Sequence, residues 1–265
     1  KEFWNYCAPF IPYVWLSFAY TIADRWLLQH WGGAKEQAYF SIALQFSAVA
    51  LLATTSILRI FWKEVAEAKQ ENDFKKIKKL YNKTSRRVYF FGAFLSAAIL
   101  PWASEIVMIV LGEEYLESVS VFFLMLLYPV HQTMGQIGST MLFATENSKI
   151  QVQIGLWFMA SSMIFVYFML APQTMFIPGF EMGAEGLAIK MIIMQLIQVN
   201  VIAWFISKIF HWKYNWIYQF AIMGLLGTLA VAVKLLVTSI FDINVIMLML
   251  SAFFLYSVVV LLVIF

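Results

Sequence analysis

The sequence predicts an all-α integral membrane protein with eight transmembrane helices, and three observations indicate this class. Of its 265 residues, 62% are hydrophobic and only 12% are charged, whereas soluble domains carry about a quarter charged residues. The apolar residues form eight long segments, each close to the roughly 20 residues that a helix needs to cross a bilayer. Half of the basic residues fall in one connector between two of these segments.

The basic connector, residues 63–87, sets the predicted orientation of the chain. It contains nine of the eighteen Lys and Arg residues: Lys63, Lys69, Lys75, Lys76, Lys78, Lys79, Lys83, Arg86 and Arg87. Because positive charge keeps short connectors in the cytoplasm, we expect it on the inner side of the membrane. Residues 1 and 265 are then also cytoplasmic. We expect the connector to bind anionic lipid headgroups.

Within this connector the sequence predicts a helix start and an amphipathic stripe. Asn72 or Asp73 can cap a second helical segment. In that segment Phe74, Ile77, Leu80 and Tyr81 recur at three- and four-residue spacing. We expect this stripe to lie on the inner membrane surface.

The eight predicted spans are connected by short loops. In chain order they cover residues 9–30, 38–62, 88–111, 119–143, 150–171, 184–206, 217–239 and 245–265. Pro101 is expected to bend the third span. Since the chain begins at Lys1 and ends within an apolar run, we expect it to be part of a longer polypeptide.

Composition and motifs argue against several function classes. The net charge of +3 comes mainly from the basic connector, so it does not imply nucleic-acid binding. With one cysteine, Cys7, and three separated histidines, no disulfide or metal site is predicted. The chain lacks the Gly-x-Ser-x-Gly, His-Glu-x-x-His and phosphate-loop patterns. We therefore expect neither an enzyme nor an ATP-driven pump.

Five ionisable residues lie within the predicted spans, where charge is costly and usually faces a cavity or a partner. They are Asp24, Arg25, Glu105, Lys190 and Lys234. One interpretation is a hydrated cavity whose cations bind an anionic group. The alternative is internal pairing, such as Asp24 with Lys190, or extension of the lysines to the membrane surface.

Polar residues near the middle of two spans suggest a wet interior. Gln132 and Gln136, and likewise Gln195 and Gln198, are spaced to share one helix face. Two such faces suit hydroxyl-rich cargo, although hydrogen bonding between helices explains them equally well. His131 could couple transport to protons or could bond a backbone carbonyl freed by Pro129.

Several motifs, in order along residues 9–206, resemble the second lobe of the Wzx-type polysaccharide flippases. These proteins are members of the multidrug/oligosaccharidyl-lipid/polysaccharide exporter superfamily. The motifs are Pro9 with Ala23-Asp24-Arg25-Trp26-Leu27-Leu28, Gly33 and Ala38-Tyr39; Leu111-Gly112-Glu113-Glu114-Tyr115 with Leu142-Phe143-Ala144-Thr145; and Gly183-Ala184-Glu185-Gly186-Leu187-Ala188.

The resemblance implies a six-helix MATE-like second lobe over residues 1–208 and two additional helices over residues 209–265, with the N-terminal lobe absent. It implies flipping of an undecaprenyl-diphosphate-linked oligosaccharide, such as an O-antigen, capsule or exopolysaccharide unit, by alternating access. The membrane would be the cytoplasmic (inner) membrane of a bacterium or archaeon. No cofactor is expected, although a proton or sodium gradient could drive the cycle.

From their depth and type, we expect Arg25 and Lys190 to face the cavity and hold the diphosphate. Gln132, Gln136 and Gln195 would then bind the sugars. Asp24 and Glu105 are the candidates for ion coupling or for charge partners. On this hypothesis, replacing Arg25 or Lys190 by Ala stops export without affecting folding.

Two other functions compete with this interpretation. A drug/cation antiporter of the same fold would need deep acidic groups, for which only Asp24 and Glu105 are candidates. A membrane-embedded glycan transferase or polymerase would use His131 or Asp24 as a base, but the outer loops are short and no catalytic groups cluster.

Overall fold

The protein is built from helices in every part that the structure describes. The computed structural model describes residues 10–264, without the side chains of residues 10, 49, 50, 52–56 and 264. All regular elements in this range are helical. Residues 1–9 and 265, with the predicted cytoplasmic placement of both chain ends, lie outside the described residues.

The first helical run, Phe10–Gln70, is two helices joined at Gly33, whose φ of 81° and ψ of −176° are non-helical. Glycine accepts this positive φ without the steric penalty of a Cβ. We call the two parts α1 (residues 10–32) and α2 (residues 34–70). The Arg25 guanidinium on α1 bonds Ser41 Oγ on α2 at 2.8 Å, so the two helices fold back on each other.

Seven α-helices follow in the range that the structure describes, and they overlap the third to eighth predicted spans, with the third span divided between the first two of them. They are α3 (Phe74–Ile99), α4 (Ala103–Val110), α5 (Val119–Ala144), α6 (Ser148–Leu170), α7 (Gly183–Ile209), α8 (Ile217–Ile240) and α9 (Val245–Ile264). A 3₁₀ turn, Leu100–Trp102, separates α3 from α4. The α-helix is thus interrupted at Pro101, the position where the sequence predicts a bend.

Five helical segments in the described part are long and apolar enough to cross a membrane. They are Phe74–Val110, Ser148–Leu170, Gly183–Ile209, Ile217–Ile240 and Val245–Val263. The chain is therefore an all-α, multi-pass membrane protein. Helix α5 is not among the five, and its middle turns carry His131, Gln132 and Gln136.

The basic connector contains the end of one helix and the start of the next, and the start lies where the sequence predicts it. Helix α2 continues to Gln70, and α3 begins at Phe74 after Asp73, whose carboxylate accepts a 2.9 Å bond from the Lys76 amide. The predicted cap at Asp73 is thus confirmed.

The placement predicted for the stripe on this helix is wrong for two of its four residues. Ile77 and Tyr81 are buried against protein, in a cluster with Phe61, Met141 and Ile206, and do not lie on the membrane surface. Tyr81 stacks on Trp212 at 5.9 Å between ring centroids. Helices α2, α5 and α7 provide an apolar surface at this height, which buries Ile77 and Tyr81, whereas Phe74 is 48% exposed.

Helix α5 is the centre of the bundle, and two apolar clusters mark its opposite ends. Near its start, Phe122 packs against Phe46 of α2 with ring centroids 5.3 Å apart. Near its end, Met141 and Leu142 lie in the cluster that also contains the ends of α2 and α7 and the start of α3. The α2–α3 connector and the α5–α6 turn therefore lie at the same end of the bundle.

Helices α8 and α9 pack outside this bundle against α3. Tyr89 of α3 donates a 2.9 Å hydrogen bond to the Gln219 carbonyl of α8. Phe94 of α3 stacks on Tyr256 of α9 with ring centroids 5.1 Å apart.

Candidate functional site

A cavity of about 400 Å³ lies between α1, α5, α6 and α7. This volume is within the usual range of small-molecule sites. Its wall includes five glutamines: Gln132, Gln136, Gln151, Gln195 and Gln198. Tyr13, Tyr20, Tyr128, Phe143 and Phe158 add aromatic surface, and Ser139, Thr140 and Ser162 add hydroxyl groups.

Small residues bring the cavity helices close together. A Cβ on Gly135 would lie 2.7 Å from Nε2 of Gln195, and one on Gly138 would lie 2.7 Å from Cγ2 of Ile202. These two glycines let α5 approach α7, as membrane helix pairs often do through small residues. Because Gly135 has no side chain, the Gln195 amide fits directly against α5.

The structure brings the predicted sugar-binding glutamines together. Gln132 and Gln136 on α5, with Gln195 on α7, all line the same cavity. Gln198 joins them, as the shared-face spacing predicted. The lining extends along α5 to Phe143, next to the last residue of that helix, so the cavity approaches the end of the bundle that carries the basic connector.

Lys190 is bonded to Asp24 and does not line this cavity. Its ammonium donates to Oδ1 and Oδ2 of Asp24 at 2.8 and 2.7 Å and to the Tyr20 hydroxyl at 3.1 Å. The Lys190 side chain is fully buried. The ion pair between Asp24 and Lys190, which the sequence left as an alternative, is the observed arrangement. The expectation that Lys190 faces the cavity is wrong.

Arg25 is also directed away from the cavity wall. Its guanidinium donates to Ser41 Oγ and lies 5.2 Å from the centre of the Phe40 ring. It is half-buried between α1 and α2. The two cations predicted to hold a diphosphate therefore have separate protein partners, Ser41 with Phe40 for Arg25 and Asp24 for Lys190.

Glu105 has a charge partner on another helix. Its carboxylate accepts a bond from Lys234 of α8, which also donates to the Pro101 carbonyl. The Lys234 ammonium lies 4.5 Å from the centre of the Trp102 ring. The Pro101 carbonyl thus helps to hold α8. Glu105 is not among the described residues that line the cavity.

His131 of α5 lies between Tyr89 of α3 and a polar cluster formed by Asn200 of α7, Tyr214 of the following loop and Gln219 of α8. Its ring is 5.9 Å from that of Tyr89, and its Nδ1 is buried with no partner among the described protein groups. The Tyr214 hydroxyl and the Gln219 amide both donate to Oδ1 of Asn200, at 2.9 and 3.2 Å.

Sequence analysis missed Gln151 and Tyr20 as cavity residues. Gln151 is 4% exposed, and its Oε1 has no partner among the described protein groups. A signal was present, because Gln151, Gly155 and Ser162 are spaced to share one face of the otherwise apolar α6.

The cavity is suited to binding a polar ligand, because amides and hydroxyls dominate its polar groups and no charged side chain is among its described lining residues. The described residues form no cluster of His, Cys, Asp and Glu that could hold a metal ion. No protein-family model, curated protein or solved structure matches the chain.

Proposed function

We propose that this chain is a transport lobe that flips a lipid-linked oligosaccharide across the cytoplasmic membrane by alternating access. The observation that carries this proposal is the amide-lined cavity between α1, α5, α6 and α7. Amide side chains can donate and accept at once, which matches the mixed donors and acceptors of sugar hydroxyls. Aromatic rings in the same wall offer apolar faces for sugar rings.

The proposed fold is a MATE-like six-helix second lobe followed by α8 and α9, with eight membrane spans and with the N-terminal lobe as its partner across the cavity. The basic connector would then be cytoplasmic and bind anionic lipid headgroups. Because the connector and the α5–α6 turn share one end of the bundle, the cavity would accept cargo from the inner leaflet. No covalent step is needed, and a proton or sodium gradient would drive the cycle.

In this proposal Gln132, Gln136 and Gln195 bind the glycan, while Asp24 and Lys190 act as a charge pair that joins α1 to α7. The undecaprenyl diphosphate would therefore be bound outside the cavity that these glutamines line. Arg25 is the cation that would reach it, by releasing Ser41. Lys190 would not bind the diphosphate, because its ammonium is bonded to Asp24 inside the bundle.

An export assay in the native host tests this function. We expect Gln132→Leu combined with Gln195→Leu to reduce surface glycan at least tenfold and to accumulate lipid-linked oligosaccharide in the inner leaflet. The matched control is Gln153→Leu, because Gln153 is an exposed residue of α6. Normal export by the double variant at normal protein level would overturn the proposal.

A further inference from the structure

On the basis of the proposed function, we infer that the cavity takes an uncharged part of the glycan and that Gln151 is a residue that selects it. Three features of the site carry this inference: the charge-free wall, the internal neutralisation of the adjacent ion pair, and an unpartnered acceptor. Together they favour a ligand rich in hydroxyl or amide N–H donors over one that carries a carboxylate or phosphate.

The wall of the cavity offers no counter-charge to an anion. None of its described lining residues is Asp, Glu, Lys or Arg. Burying a charge is costly unless an opposite charge lies close to it. Neutral sugars need only hydrogen bonds, which five amides and several hydroxyls can supply.

The ion pair between Asp24 and Lys190, next to the cavity, adds no net charge to the site. Lys190 contacts the lining residue Tyr20, at 3.1 Å from its hydroxyl and 4.3 Å from its ring centre. Both oxygens of Asp24 accept bonds from the same ammonium. Asp24 therefore neutralises the positive charge of Lys190, and a ligand on the other side of Tyr20 meets no net charge from this pair.

Gln151 gives the site an acceptor that the protein leaves unused. The side chain is 4% exposed and its Oε1 lacks a partner in the described part of the protein, yet Gln151 lines the cavity. Buried acceptors are usually hydrogen-bonded. A sugar hydroxyl or the N–H of an acetamido group could donate a hydrogen bond to Oε1 of Gln151, whereas this oxygen would repel a carboxylate.

Binding to the purified protein in lipid nanodiscs tests this selection. The probes are undecaprenyl diphosphate carrying a neutral N-acetylhexosamine disaccharide and the same lipid carrying a disaccharide with one uronic acid. We expect the neutral probe to bind at least tenfold more tightly. Gln151→Leu should weaken neutral binding roughly five- to tenfold, about the effect of one hydrogen bond, and Gln153→Leu should leave it unchanged.

The melting temperature of the ligand-free variants separates binding from folding. If Gln151 serves the ligand, Gln151→Leu weakens binding without lowering this temperature. The inference is overturned if the acidic probe binds equally well, if Gln151→Leu binds the neutral probe normally, or if binding and stability fall together. Those outcomes leave the transport proposal intact, whereas failure of both probes to bind the unaltered protein would overturn the transport proposal as well.

Discussion

The Lys190 ammonium lies 2.7 Å from the nearer Asp24 oxygen, in a side-chain environment where Lys190 is fully buried and Asp24 is 10% exposed. This pair joins α1 to α7 and makes Lys190 a residue of the bundle interior. The removal of either charge would leave the other buried and uncompensated.

We therefore expect Lys190→Met to reduce the stability of the protein by about 3–5 kcal/mol, the usual cost of breaking a buried ion pair from one side. Thermal unfolding in nanodiscs measures the effect. Combining Lys190→Met with Asp24→Asn removes both charges and should restore most of the loss. A single variant as stable as the unaltered protein would contradict this assignment.

Replacing glycine by alanine is expected to have opposite effects on stability at a tight helix contact and at an open position. Gly138→Ala would place a methyl group 2.7 Å from Cγ2 of buried Ile202, so we expect a loss of about 1–3 kcal/mol from overpacking. In α8, a Cβ on Gly224 meets nothing within 4 Å. Gly224→Ala should raise stability by about 0.5–1 kcal/mol, and thermal unfolding of both variants checks the difference.

The cap of α3 predicts a local effect in the basic connector. Asp73→Ala removes the acceptor of the 2.9 Å bond from the Lys76 amide, which should cost about 1 kcal/mol. Asn72 has a φ of 56°, so Asn72→Gly should be neutral or stabilising. Hydrogen exchange at the Lys76 amide should quicken in the first variant and not in the second.

Tyr214, in the loop between α7 and α8, predicts a loss of stability at high pH. Burial raises the pKa of Tyr214 to about 12, opposed by a smaller effect of its hydrogen bond with Gln219. Since the unfolded chain releases this proton near pH 10, the stability contribution is full below pH 10 and is lost as pH rises towards 12. The tyrosinate absorbance titration should lose one of its late steps, near pH 12, in Tyr214→Phe, and an unchanged titration curve would contradict this assignment.

The helices and their order could be predicted because bilayer length and hydrophobicity are properties of the local sequence. The break at Pro101 and the cap at Asp73 followed from backbone chemistry at single residues. The burial of Ile77 and Tyr81 could not be predicted, because an amphipathic stripe does not reveal whether it faces lipid or another helix.

Only part of the candidate site could be predicted, because spacing along one helix does not show which helix it faces. Spacing placed Gln132 with Gln136 and Gln195 with Gln198 on common faces, and both faces line the cavity. Spacing along one helix does not give the rotation of α7 relative to α1, which brings Lys190 to Asp24. It also does not reveal that α6 supplies Gln151, because that contact depends on packing between helices.

Photo-crosslinking in the native host tests the central claim, that the glutamine-lined cavity holds a lipid-linked glycan, most directly. A photoreactive amino acid is placed at Gln195, in the cavity wall, or at Ile193, an exposed residue of the same helix. We predict a glycan-bearing adduct from position 195 and none from position 193. Equal labelling at both positions, or none at position 195 while export proceeds, would contradict the account.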